Sequence, residues 1–182
     1  HVRDITIGEL DDQIGDTETG KDKRRFARGA CRILCDPAGN LLLDPDNPEV
    51  LEAGKKKIKI MTWQAFCGEY LTEGKFVIAV SGTHGKSTTT AMVGKILEDA
   101  QLDPTVLLGA TTSFWNANFR VGWGKYFVIE ADEFNDNFLA FTPDATIITN
   151  IEFDHPEYFK DFLSYKQSFR DFLAKTRHLI VA

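Results

Sequence analysis

The feature of this sequence that most constrains its fold is an uninterrupted apolar run that leads into a glycine-rich loop. Residues 76–80 read Phe-Val-Ile-Ala-Val and lie between Gly74 and Gly82. A short apolar run bounded by glycines is typical of a strand that is buried on both faces. Such strands belong to parallel sheets, because helices cover both faces of a parallel sheet. The run therefore predicts one strand of an α/β domain.

Strands and helices alternate along the chain around this run. Apolar side chains at positions 92, 93, 96 and 97 have helical spacing and predict a helix over residues 86–100. The same rules predict further strands at residues 58–61, 105–108, 126–129, 145–148 and 179–181, and further helices at residues 49–57, 63–71 and 158–175. Thr62 is the expected cap of the helix at 63–71. This alternation predicts a parallel sheet flanked by helices.

A polar cluster follows the first buried strand, where parallel sheets bind their ligands. Residues 81–90 read Ser-Gly-Thr-His-Gly-Lys-Ser-Thr-Thr-Thr. Glycines let backbone N–H groups face phosphate oxygens, and the helix that follows presents its positive end to the same anion. In a phosphate loop, or P-loop, Lys86 would contact the terminal phosphates and the Ser87 hydroxyl would bind Mg²⁺. Only two residues separate Gly82 from Gly85, so the alternative is a chance turn, which the flanking strand and helix disfavour.

Two more polar clusters follow later strands. Residues 130–133 read Glu-Ala-Asp-Glu, and residues 150–155 read Asn-Ile-Glu-Phe-Asp-His. Mg²⁺ binds carboxylate oxygens together with phosphate oxygens and water. Taken alone, the first cluster could be a solvated acidic loop and His155 an ordinary surface or capping histidine. Three clusters at one edge of one sheet together predict a nucleotide–metal site.

Composition limits the classes of partner. The formal net charge of −6 argues against nonspecific binding to nucleic acid or to anionic membranes. No apolar stretch reaches the length of about 18 residues that a membrane-spanning helix needs. The three cysteines, Cys31, Cys35 and Cys67, are interpreted as reduced structural thiols. We therefore expect a cytoplasmic protein without nucleic-acid or membrane partners.

The three clusters, in this order, resemble the central domain of the Mur ligases. Residues 46–50, Asp-Asn-Pro-Glu-Val, also resemble the end of the UDP-substrate domain of that family. Members have a UDP-substrate domain, a central ATPase domain and a C-terminal domain that brings the amino acid. The resemblance implies that residues 1–72 are a partial UDP-substrate domain with a disordered start and that residues 73–182 are an incomplete ATP-binding domain. It also implies that the C-terminal domain is absent, so we expect the isolated chain to be inactive.

The resemblance further implies an ATP-dependent ligase of peptidoglycan synthesis. Such enzymes phosphorylate a carboxylate, and the amine of an amino acid then attacks the acyl phosphate. ATP and Mg²⁺ are the implied cofactors, and UDP-N-acetylmuramate and an amino acid or peptide are the implied substrates. By motif, the catalytic residues would be Lys86, Glu130 and His155, the metal ligands Ser87, Glu130 and His155, and the nucleotide-binding residues Gly82, Thr83, His84, Gly85, Lys86, Ser87 and Thr88.

Within the family, His84 and the Glu-Ala-Asp-Glu box resemble the branch that adds L-alanine. A branch that adds a murein tripeptide is the alternative, and a noncatalytic nucleotide-binding module is a third interpretation. The sequence leaves the oligomeric state open.

Overall fold

The structure is a computed structural model that describes residues 48–182. The predicted disorder near the start and the interpretation of Cys31 and Cys35 therefore concern residues outside the described part. The chain divides into two units, His1–Phe66 and Cys67–Ala182. The expected domain boundary at residues 72/73 lies shortly after this division.

The described part of the first unit contains two short helices. Helix α1 spans Pro48–Lys55 and helix α2 spans Trp63–Phe66. Thr62 caps α2 as predicted, because the backbone N–H of Ala65 donates to its Oγ1 at 3.0 Å. The strand predicted at residues 58–61 is wrong: these residues belong to no described strand. Alternating apolar residues make a strand only where a neighbouring strand takes up their backbone hydrogen bonds.

The second unit is built on one sheet. Its described strands are β1 (Phe76–Ser81), β2 (Thr105–Thr112), β3 (Ala117–Arg120), β4 (Tyr126–Glu130), β5 (Ala145–Ile148) and β6 (Leu179–Val181). They are arranged in the order β3-β2-β4-β1-β5-β6. All neighbouring pairs are parallel except β2 and β3, which are antiparallel. The predicted parallel sheet is thus confirmed, with an antiparallel edge strand that the sequence did not reveal.

The edge strand β3 forms a hairpin with β2, which extends further than predicted. Arg120 anchors this hairpin to the helix that follows β1, because its Nε donates to Oε1 of Glu98 at 2.8 Å. Its second ion pair is with Asp103, again at 2.8 Å. The sequence of β3, Ala-Asn-Phe-Arg, has no apolar run, since an edge strand has few neighbours to bury it.

Helices α3 (Lys86–Asp99) and α4 (Phe162–Leu173) flank the sheet. On α3, Ala91 joins a buried cluster with Val106, Leu108 and Val128. On α4, Phe169 and Phe172 pack against Phe138, which lies in the 3₁₀-helical segment Phe134–Ala140. Of the four apolar residues that predicted α3, Val93 and Leu97 pack against the buried cluster, whereas Met92 and Ile96 are exposed.

Helix α4 begins later than residue 158, where the sequence placed its start. Asp161 is extended, with φ −160°, and its carboxylate accepts the backbone N–H of Ser164 at 2.8 Å. The Ser164 side chain in turn accepts the backbone N–H of Asp161, which completes a capping box. The predicted start was wrong because Tyr158 and Phe159 continue the apolar pattern without being helical.

Two sequence expectations about chemistry fall within this part of the molecule. Cys67 is a free, buried thiol, and burial raises its pKa to about 12. Such a thiol is unreactive, as a structural cysteine should be. No helix in residues 48–182 is long and apolar enough to cross a membrane.

Candidate nucleotide-binding site

Three strands end side by side at one edge of the sheet. Parallel pairing sets Val80 of β1 opposite Glu130 of β4, and Ser81 of β1 opposite Ile148 of β5. The loops that follow β1, β4 and β5 therefore leave the sheet together. These loops carry the three polar clusters of the sequence, which the fold brings to one place.

The loop after β1 has a backbone that requires glycine. Gly82 has φ +132° and Gly85 has φ +82°. A Cβ atom at Gly82 would lie 2.2 Å from Oγ1 of Thr149, so the loop also approaches its neighbour closely. Gly85 is the N-cap residue of α3, and no side chain caps this helix end. The first N–H groups of α3 are thus open to an anion.

Side chains of the loop after β5 form hydrogen bonds with the backbone of the glycine loop. The Asn150 side chain accepts the backbone N–H of His84 at 3.0 Å, and Asn150 Nδ2 donates to the His84 carbonyl at 2.9 Å. The Thr149 hydroxyl donates to the same carbonyl at 2.6 Å. These bonds fix the backbone of His84 while the residue itself stays exposed. The glycine loop is therefore held in place by side chains of the loop that follows β5.

Lys86 and Glu133 form the central ion pair of the site. Lys86 Nζ lies 2.9 Å from Oε2 of Glu133 and 3.7 Å from Oδ1 of Asp132. Glu133 is fully buried, and its other oxygen, Oε1, accepts the hydroxyl of Tyr165 at 3.0 Å. Both carboxylate oxygens are thus satisfied, as a buried charge requires. Burial, reinforced by the charge of Glu133, raises the pKa of Asp132.

His155 lies beside the same carboxylates. One ligand atom each from Asp132, Glu133 and His155 can be chosen so that all lie within 4.8 Å of one another. His155 has φ +55°, and its ring packs on Phe134 with centroids 4.8 Å apart. A non-glycine residue in this backbone region carries strain, which is common at functional sites.

Glu130 takes a different position from these groups. Its Oε2 accepts the backbone N–H of Gly109 in β2 at 2.7 Å. A Cβ atom at Gly109 would lie 2.9 Å from Oε1 of Glu130, so the glycine makes room for the carboxylate. The structure therefore groups His155 with Asp132 and Glu133, while Glu130 contacts the neighbouring strand.

Comparisons with known proteins identify the family of this domain. The family model described as "Mur ligase middle domain" matches residues 80–181, more than half of the chain. The chain belongs to the Mur ligase family. This confirms the resemblance seen in the three motifs.

Curated relatives of this Mur ligase domain include UDP-N-acetylmuramate–L-alanine ligases. The protein of Caldicellulosiruptor saccharolyticus is 48% identical over 130 residues, which are 71% of this chain and 29% of the relative. The protein of Clostridium botulinum is 43% identical over 128 residues, which are 70% of this chain and 28% of the relative. The chain thus spans less than a third of the curated relatives that it matches.

Solved structures show the same Mur ligase fold. The UDP-N-acetylmuramate-alanine ligase of Thermotoga maritima has a TM-score of 0.66 and 33% identity, over 77% of this chain and 33% of the solved one. The UDP-N-acetylmuramate:L-alanyl-gamma-D-glutamyl-meso-diaminopimelate ligase of Neisseria meningitides has a TM-score of 0.67 and 24% identity, over 76% of this chain and 48% of the solved one. The second match supports the fold alone.

The donor groups of this Mur ligase site fit a hard divalent cation. Carboxylate oxygens are the ligands that Mg²⁺ prefers, and imidazole is accepted by related metals such as Mn²⁺. Asp132, Glu133 and His155 supply this set, and the open N-terminus of α3 faces no acidic side chain of its own first turn. Metal binding by Ser87, Glu130 and His155 remains a prediction, to which Asp132 is added as a candidate, whereas both oxygens of Glu133 are already bonded.

The sequence did not predict two residues that contact the site: Thr149, which donates to the His84 carbonyl, and Tyr165, which donates to Glu133. It also did not predict the contacts of Asp136, which accepts the Tyr158 hydroxyl at 2.8 Å and the Ser168 hydroxyl. Asn135 and Asp136 both have positive φ, near +55°. Asparagine and aspartate tolerate this region best, and the Asn-Asp pair was the available signal.

Proposed function

We propose that this chain is the ATP-binding part of an amide-bond-forming ligase that adds L-alanine to UDP-N-acetylmuramate. The observation that carries the proposal is the position of Lys86, between the glycine loop and the Asp132–Glu133–His155 cluster. One side of this arrangement suits the phosphates of ATP and the other suits a divalent cation. A relative that is 48% identical over 130 residues, and that bears the name of the alanine-adding ligase, supports the choice of substrate.

Different residues of the loop would make different contacts with a triphosphate. Gly82, Gly85 and the first turn of α3 offer backbone N–H groups, which suit phosphate oxygens. Lys86 adds a full positive charge, held by Glu133 and already close to the loop, since its Nζ also lies 3.4 Å from the Thr83 carbonyl. Bound Mg²⁺ would neutralise phosphate charge. Ser87 offers the hydroxyl ligand at the first turn of α3.

We assign the remaining roles by motif. Ser87, Glu130 and His155 are the proposed metal ligands, with Asp132 as a further candidate, and Lys86 is the residue that stabilises the transferring phosphoryl group. Residues 73–182 form the proposed ATP-binding region and residues 1–72 part of the proposed UDP-substrate region. The acidic net charge fits a cytoplasmic protein whose ligands are small molecules rather than nucleic acid.

The alternative substrate, a murein tripeptide, has weaker support. One tripeptide ligase of known structure shares the fold at 24% identity, whereas an alanine ligase of known structure shares it at 33%. We therefore retain L-alanine as the proposed nucleophile.

Calorimetric titration with Mg·ATP tests this proposal. Lys86→Gln keeps a hydrogen-bond donor for Glu133 and removes the charge, so the fold should persist. Because a hydrogen bond to a charged group contributes about 1.5–3 kcal/mol, binding should weaken about tenfold or more. Lys95→Ala is the matched control, since Lys95 lies on the same helix and pairs with Asp99 at the surface. Equal affinity of wild type and Lys86→Gln would refute the proposed site.

A further inference from the structure

The hydroxyl of Tyr165 connects the glycine loop to the buried carboxylate. It lies 3.0 Å from Oε1 of Glu133 and 3.0 Å from Oγ1 of Thr83, which belongs to the loop itself. Tyr165 is fully buried. Its ring packs between Phe159 and Phe169, with centroid distances of 4.9 and 5.1 Å, so the position of the hydroxyl is fixed.

The available protons decide which group is the donor in the hydrogen bonds of Tyr165. An ionised carboxylate only accepts hydrogen bonds, so Tyr165 donates to Glu133. The Thr83 hydroxyl accepts the backbone N–H of Glu152 at 2.9 Å, and its own proton can go to the Glu152 carbonyl at 2.8 Å or to Tyr165. The bond from Tyr165 to Glu133 therefore has a defined direction, with Tyr165 as the donor.

This arrangement matters when Lys86 engages an anion. Lys86 is the donor to Oε2 of Glu133, and a phosphate would compete with Glu133 for its ammonium group. A buried carboxylate that loses its partner is strongly unfavourable. The Tyr165 hydroxyl stays on Oε1 whether or not Lys86 turns away. It therefore lowers the cost of releasing Lys86 from Glu133.

We propose that Tyr165 is a positioning residue of the nucleotide site, whose hydroxyl holds the Glu133 carboxylate so that Lys86 can be shared with phosphate. This inference rests on the proposed function, since it requires that Lys86 contacts the nucleotide. It goes further by assigning a role in ligand binding to a residue of α4, outside the three motifs. A purely structural role would be met by the ring, which Phe159 and Phe169 already surround.

Tyr165→Phe removes the hydroxyl and keeps the ring, so it tests the role of the hydroxyl alone. We expect about tenfold weaker binding of Mg·ATP, because Glu133 then depends on Lys86 alone. Thr146→Val is the matched control: it also removes a buried hydroxyl, which bonds to Oγ1 of Thr176 at 2.7 Å, and it should leave the affinity within about twofold. In a Glu133→Gln background, Tyr165→Phe should have no further effect on affinity, because no buried carboxylate remains to be held.

The outcomes separate this inference from the proposed function. If Lys86→Gln weakens binding but Tyr165→Phe binds Mg·ATP as wild type does, the inference fails and the proposed function stands. If Lys86→Gln has no effect, the proposed function fails. An effect of Tyr165→Phe that is unchanged in the Glu133→Gln background would also overturn the inference, since it would not act through the carboxylate.

A second measurement does not depend on the folding of any Tyr165 variant. The chain has 4 tyrosines, so fluorotyrosine labelling of the wild-type protein gives a resolvable ¹⁹F spectrum. We expect Mg·ATP to shift the Tyr165 resonance as Lys86 moves from Glu133 to phosphate. Saturating Mg·ATP that leaves this resonance unmoved would contradict the proposal.

Discussion

The ammonium group of Lys86 lies 2.9 Å from Oε2 of Glu133, and that carboxylate is completely buried. Glu133→Ala would remove the acceptor of both Lys86 and Tyr165. Breaking a buried ion pair from one side costs about 3–5 kcal/mol, so we expect a loss of about 3 kcal/mol in the free energy of unfolding. Urea denaturation measures it. Glu73→Ala, at an exposed position, is the control and should change stability by less than about 0.5 kcal/mol.

Gly82 is expected to tolerate no side chain. Its φ of +132° disfavours any L-residue, and an added Cβ would lie 2.2 Å from the Thr149 hydroxyl. Gly74 also has positive φ, +68°, but nothing lies within 4 Å of its Cβ position. Gly74→Ala should thus cost about 1 kcal/mol from backbone strain alone, and Gly82→Ala should cost more. Thermal unfolding that gives both variants the same stability would show that the loop relaxes around the new methyl group.

The sequence predicted the centre of this fold better than its edges. Residues 76–80 form β1 because an apolar run between glycines has few alternatives to a buried strand. Strand β3 escaped prediction because its polar residues pair only with β2, through contacts that no local pattern encodes. Helix α4 was placed too early because the capping box at Asp161 outweighs the apolar residues before it.

The sequence likewise predicted the candidate site only in part. The three motifs predicted which loops meet, because parallel strands bring their carboxyl ends to one edge. They did not predict that Glu133 pairs with Lys86, or that Glu130 contacts Gly109. Glu133 and Asp132 both lie near Lys86, and the position of Glu133 also depends on Tyr165, a residue 32 positions further along the chain.

Glu98 provides an acid-sensitive contact outside the site. The hydrogen bond from Arg120, assisted by Trp115 and Lys95, lowers the pKa of Glu98 below its ordinary value. The unfolded chain then binds protons more readily than the folded one, so this contribution is present above about pH 4.3 and is lost as the pH falls through the lowered pKa. Glu98→Gln should cost about 1 kcal/mol at pH 7 and little in strong acid. Unfolding curves of both proteins at several pH values measure the difference, and a constant difference would contradict the assignment.

Ser81 offers a test of the packing beneath the loop. Within residues 48–182 its buried hydroxyl has no hydrogen-bond partner. Because an unsatisfied buried group costs about 1–3 kcal/mol, Ser81→Ala should leave the unfolding free energy unchanged or raise it by about 1 kcal/mol. Clear destabilisation in calorimetric melts would mean that the hydroxyl is bonded in solution.

Single substitutions distinguish the contributions of the proposed metal ligands. We expect Glu130→Ala and His155→Ala each to weaken Mn²⁺-dependent nucleotide binding by about tenfold while the fold persists. Titration of Mn²⁺ followed by electron paramagnetic resonance, with nucleotide present, measures this. If His155→Ala alone weakens binding, Glu130 serves the contact with Gly109 and Asp132 is the carboxylate that binds the metal with His155.

The central claim is that the glycine loop and the acidic–histidine cluster form one nucleotide–metal site. A crystal soaked with Mn²⁺ and a nonhydrolysable ATP analogue tests it most directly. The account predicts phosphates on the N-terminus of α3, anomalous density beside Ser87 and a neighbouring carboxylate, and a second peak near His155. Bound nucleotide whose phosphates lie away from Lys86, with no anomalous density near these side chains, would contradict it.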